Sequence, residues 1–145
     1  MKKILMILII AVAVIACDDD NGVTDPVTDP ALNGSWLKDG TEIRFNNGNG
    51  ETFINNGNYF CKWAYTTKDG QYISNTTDIH GSWSPSLGLE NRWYSRQEYQ
   101  TKVSGSGNTY GGLTLDSTYN YTVSGNTLTT TDVNGGITQT WTRKK

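Results

Sequence analysis

Apolar residues are distributed in two regimes along this chain. Ile4 to Ile15 is an unbroken apolar run of twelve residues, followed by Ala16 and Cys17. From Trp36 onward apolar positions alternate with polar ones. Thr41, Ile43 and Phe45 share one face with Glu42 and Arg44 on the other. Tyr59, Cys61, Trp63 and Tyr65 alternate with Phe60, Lys62 and Ala64. Tyr119, Tyr121 and Val123 alternate with polar partners, as do Ile137, Gln139 and Trp141. A period of two places one set of side chains on each face of a β-strand. Between these runs stand Asp39-Gly40, Asn47-Gly48, Asn56-Gly57, Asp69-Gly70, Ser124-Gly125-Asn126 and Asn134-Gly135. Such residues accept the positive φ angles of tight hairpin turns. No window carries an amphipathic helix longer than about two turns. The pattern predicts an all-β fold, an antiparallel up-and-down meander of about eight to ten strands. Closure into a small barrel would remove its two edge strands, with a β-sandwich as the alternative.

Asn91 to Val103 fits less simply. Read as a strand, it places Trp93, Ser95, Gln97, Tyr99 and Thr101 on one face and Tyr94, Arg96, Glu98, Gln100 and Lys102 on the other. Neither face is apolar, which predicts a strand that projects beyond the barrel or lines a polar cavity.

The first seventeen residues have a different purpose. Met1-Lys2-Lys3 is basic, the apolar run is brief, and a small residue stands at its exit, as in a secretory signal peptide. Thirteen apolar residues rise about 20 Å as a helix, short of the ~30 Å hydrocarbon core. Val14-Ile15-Ala16-Cys17 resembles the lipobox of bacterial lipoproteins, in which the signal (residues 1–16) is cut away and the new N-terminal Cys17 carries lipid. That resemblance implies a membrane partner through Cys17 and a place in the bacterial cell envelope. The outer membrane or cell surface is favoured over the inner membrane. Residues 17–32 then read as an acidic tether, with Val-Thr-Asp-Pro repeated at Val23–Pro26 and Val27–Pro30. Each proline pushes the preceding residue toward extended backbone. Residues 33–145 form the predicted domain.

Charge and cysteine usage narrow the function. From Asn33 onward ten Lys or Arg stand against nine Asp or Glu, a net +1, without the basic footprint of a nucleic-acid partner. Two cysteines and the single His80 make no zinc-ligand spacing, and no cofactor or metal is expected. With Cys17 lipidated, Cys61 has no disulfide partner. No Gly-x-Ser-x-Gly elbow occurs, and Glu90, Glu98 and Asp78 near His80 carry no catalytic spacing, so no catalytic residues and no enzyme are expected.

Gly34-Ser35-Trp36 opens the first predicted strand and Trp141-Thr142-Arg143 closes the last. This resembles the lipocalins and related calycin barrels, which begin with Gly-x-Trp and lay a final-strand Arg across that Trp. The resemblance implies a barrel closed at one end by Gly34, Trp36 and Arg143 in cation–π contact. A second Gly81-Ser82-Trp83 is followed by residues that do not track those after Trp36, which speaks against a duplication.

All 16 aromatic residues lie at or after Trp36. Tyr59, Trp63, Tyr65, Trp93 and Tyr99 are candidates for gripping a small lipid, sugar or other apolar or aromatic ligand. The alternative function is a protein–protein contact, as an adhesin or inhibitor module with a side-chain-filled barrel. Its surface would come from the loops Asn46–Gly50 and Ser104–Asn108.

Overall fold

The structure is a computed structural model and describes residues 27–54, 58–83, 87–103, 109–110 and 113–145, without the side chains of 59, 109, 110 and 113. Cys17, the signal segment and most of the tether lie outside the described residues.

Eleven strands and one α-helix lie among the described residues. The strands are β1 (Gly34–Lys38), β2 (Thr41–Asn46), β3 (Asn49–Ile54), β4 (Asn58–Lys68), β5 (Gln71–His80), β6 (Trp93–Ser95), β7 (Thr109–Tyr110), β8 (Leu113–Thr114), β9 (Asp116–Ser124), β10 (Thr127–Asp132) and β11 (Thr138–Arg143). The helix, α1, is Arg96–Val103. Hydrogen bonding runs β4-β3-β2-β1-β11-β10-β9-β5, and β4 pairs with β5 to close the ring. The fold is an eight-stranded antiparallel barrel, and closure excludes the sandwich. Neighbouring strands are consecutive in the chain except where β1 meets β11 and where β5 meets β9. Residues 81–115 interrupt the meander there, with β6 added beside the far half of β5.

Turn chemistry accounts for much of the up-and-down order. Asp39-Gly40, Asn47-Gly48 and Asp69-Gly70 all have positive φ at both positions, as the twist-matched two-residue hairpin requires. Asn56-Gly57 lies outside the described residues. Inside the barrel stand Trp36, Ile43, Phe45, Cys61, Trp63, Tyr65, Tyr72, Leu128 and Trp141, all buried in one cluster. Phe45 meets Trp63, Tyr65 and Tyr72 edge-on with ring centres 5.0–5.3 Å apart, the arrangement that ring quadrupoles favour. Outside, Arg44 bridges Glu42 and Glu51, as suits a solvated face.

One end of the barrel is plugged. Trp36 is fully buried, its indole N–H donates to the Leu32 carbonyl at 2.8 Å, and the Arg143 guanidinium lies 4.0 Å above its ring. Arg143 in turn donates to the Asn33 and Ala31 carbonyls. Gly34 has φ 118°, and a Cβ there would crowd Arg143 Nη1. The last residues of the stretch read as tether join this plug. Leu32 is fully buried, Thr67 donates to the Val27 carbonyl, and Tyr121 donates to Asp29. Ordered packing therefore begins upstream of Asn33.

Asn91–Val103 corrects the expectation of one long polar strand. Only Trp93–Ser95 is extended, and the chain turns helical at Arg96. Ser95 caps that helix, its hydroxyl accepting from Glu98 N–H at 3.3 Å, in the Ser-x-x-Glu spacing of a capping box. Tyr99 and Val103, four apart, point to the core side, and Tyr99 is fully buried. Arg96 clips the helix to the start of β9 through both carboxylate oxygens of Asp116, at 2.6 and 2.9 Å. The second Gly-Ser-Trp is a 3-10 turn rather than a strand start.

Candidate functional site

Toward the end opposite the Trp36 plug, the barrel keeps an interior cavity of about 350 Å³. Its position follows from strand register. Thr41 begins β2, Thr52 lies near the end of β3, Thr130 is near the end of β10 and Gln139 near the start of β11, and all four line it. Aromatic walls come from Phe60, Trp63, Tyr72, Tyr119 and Trp141, and hydroxyls from Thr41, Thr52, Ser74, Thr76, Thr114, Ser117 and Thr130. Cys61 and Ile43 complete most of the rest. Among the described residues, no Asp, Glu, Lys, Arg or His is in the lining.

Two register shifts shape this wall. Between Thr52 and Phe53 the pairing steps from Cys61 to Tyr59, so Phe60 has no partner on β3. A bulge bends the strand and re-aims a side chain. Phe60 therefore reaches the cavity from a position that strict alternation assigns to the outside, and it packs on Trp83 at 4.5 Å. The second shift, between Lys62 and Trp63, skips Thr77 on β5.

Both indoles are anchored. Trp63 Nε1 donates to Thr52 Oγ1 and Trp141 Nε1 donates to Thr130 Oγ1, each at 3.1 Å. Tyr72 stacks on Tyr119 with ring centres 4.9 Å apart. Burial pushes the Cys61 thiol from its ordinary 9.0 up to about 12, against a hydrogen bond from Thr52 that lowers it. Desolvation likewise raises Tyr72 and Tyr119, and the Asp132 carboxylate near the rim adds to both shifts. The site is thus electrically neutral across the physiological range, and Cys61 is a wall rather than a nucleophile.

The raised thiol has a consequence for pH. Above pH 9 the unfolded chain releases the Cys61 proton while the folded chain keeps it until about 12. Stability is therefore fully present below pH 9 and falls as pH rises through that window, by up to about 1.4 kcal/mol per pH unit. Urea midpoints measured stepwise above neutrality should decline from pH 9, and Cys61→Ala should flatten the first part of the fall. A flat alkaline limb in the native protein would contradict the burial of the thiol.

Of the four ligand candidates whose side chains are described, Trp63 alone lines the cavity. Tyr65 is buried at the plugged end, with its hydroxyl 3.4 Å from Asn33 Oδ1. Trp93 is on the outer face, beneath Lys62 Nζ at 4.4 Å and edge-on to His80. Tyr99 is buried on α1, and the side chain of Tyr59 lies outside the described residues. The residues missed are Phe60, Tyr72, Tyr119, Gln139 and Trp141. The period of two already put Gln139 with Trp141 and Tyr119 with Tyr121 on single faces. Ile137 does not continue its series, being 62% exposed ahead of β11.

Among the described residues no group of three His, Cys, Asp or Glu side chains is placed to hold a metal ion. Comparison with protein-family models, curated proteins and solved structures finds no match to this chain.

Proposed function

We propose that this protein is a lipid-anchored lipoprotein of the bacterial cell envelope whose lipocalin-like barrel carries a small ligand. The observation that supports carriage is the 350 Å³ cavity in the barrel interior, walled by five aromatic rings and free of charge. That volume falls within the range of small-molecule sites, about 300–1,000 Å³. A barrel serving only as a contact surface would fill its interior with side chains. The likeness to lipocalins rests on Gly34, Trp36 and Arg143 at the closed end. The anchor rests on the basic start, the short apolar run and Ala16-Cys17.

The test is native mass spectrometry of the full chain released from membranes by detergent. Carriage predicts a small molecule retained above the mass of the lipidated chain. An empty barrel that also takes up no added ligand would leave the protein–protein reading in its place. For the anchor, Cys17→Ala should leave the protein unprocessed or free of the membrane fraction. A mutant that is cleaved yet still sediments with membrane would overturn that part.

A further inference from the structure

The cavity wall presents polar side chains that no hydrogen bond among the described residues engages. Tyr72 and Thr76 are each 6% exposed, and neither hydroxyl makes a hydrogen bond with the described residues. The Gln139 side-chain amide, on the same wall, makes no hydrogen bond with the described residues either. Thr130 is 3% exposed and accepts from the Trp141 indole, which leaves its own proton to donate elsewhere. No side-chain nitrogen or oxygen among the described residues is both buried and without a partner, so these hydroxyls and the amide are open to the cavity and bond with whatever fills it. Water satisfies such groups in an empty barrel, and a ligand that replaces that water must offer matching hydroxyls.

The remaining properties narrow the class. Among the described residues no cation lies in the wall to receive a carboxylate or phosphate, and Asp132 near the rim adds negative field. A fatty acid or anionic headgroup would lose its hydration without compensation. The anchored indoles of Trp63 and Trp141 offer apolar surface beside the unpartnered hydroxyls and amide. A ligand with one apolar ring face and a rim of neutral hydroxyls meets both kinds of wall at once. We infer that the ligand is a neutral saccharide, of which one ring enters the cavity between these indoles and the hydroxyls of Tyr72 and Thr76. This inference rests on the carrier reading and names its cargo. At about 30 Å³ per water, the cavity has the volume of about a dozen waters, room for one ring with its hydroxyls.

The test uses the full chain in detergent micelles, with saturation-transfer NMR and tryptophan fluorescence as readouts. The probes are glucose, galactose, mannose and N-acetylglucosamine, with glucuronate as the charged counterpart of glucose and palmitate as the apolar one. At least one neutral sugar should bind at millimolar concentration, with glucuronate at least about tenfold weaker than glucose. Tyr72→Phe and Thr76→Val keep side-chain shape and lose one hydroxyl, and each should weaken the bound sugar about tenfold. Gln139→Leu should do the same. Sugar binding indifferent to all three variants would place the sugar elsewhere and overturn the inference. Palmitate binding with no sugar binding would overturn the sugar and leave the carrier reading standing. No binding by any probe would remove both.

Discussion

Trp36→Ala should cost the folded barrel about 3–5 kcal/mol, the range for truncating a large buried aromatic. Three losses combine at this position. The indole is fully buried, so its removal leaves a void at the base of the barrel. The Leu32 carbonyl loses its 2.8 Å donor in a place water does not readily reach. Arg143, 4.0 Å over the ring, loses the face it rests on while still bonded to Asn33 and Ala31. Since a small domain has only about 5–15 kcal/mol of net stability, the variant should be close to unfolding at physiological temperature. Urea unfolding followed by far-ultraviolet circular dichroism measures it. Trp36→Phe keeps a ring under Arg143 and should cost less. A loss below about 1 kcal/mol in the alanine variant would mean that the plug does not hold this end together.

Gly50→Ala should be damaging out of proportion to its size. Gly50 is buried on β3 directly opposite Trp63 on β4, and a Cβ there would overlap Trp63 ring carbons Cη2, Cζ2 and Cζ3. Alanine is ordinarily the better strand residue, so a neutral or stabilising result is the expectation without this contact. With it, either the strands part or the indole leaves its rotamer, an overpacking cost of about 1–3 kcal/mol. The functional effect should exceed the stability effect. Trp63 would lose its bond to Thr52 and swing into or out of the cavity, abolishing ligand retention in a barrel that still folds. Paired with Trp63→Leu, Gly50→Ala should recover stability but not binding. Wild-type fluorescence and wild-type retention in the single variant would show that the glycine has no such role.

How far the chain could be read without its fold differs by region. The strands of the barrel were legible because each has one wet face and one dry face, which forces a period of two. Their order was legible from Asp39-Gly40, Asn47-Gly48 and Asp69-Gly70, where backbone chemistry admits few alternatives. The helix at Arg96 was missed because its surface is nearly all polar and its two inward residues, Tyr99 and Val103, are also compatible with a strand. Ser95 and Glu98, three apart, held the signal that separates the two readings. Aromatic content pointed to Tyr65, Trp93 and Tyr99 as ligand residues, yet identity says nothing of direction. Tyr65 sits in the plug, Trp93 on the outside and Tyr99 on the buried side of the helix.

Local order therefore belonged to the sequence by itself: an all-β chain, its hairpin turns, its signal-like start and the expectation of a closed-end pair in Trp36 and Arg143. Turn geometry and face alternation act over a few residues, and a linear reading captures them. The tertiary structure alone decided where the empty space lies. It arises where Thr41, Thr76, Thr130 and Gln139, from strands distant in sequence, bring small or polar side chains to the same level of the barrel. Closure of β4 on β5 and the step that frees Phe60 set that level. Both are consequences of strand register, a non-local quantity to which every pair in the ring contributes.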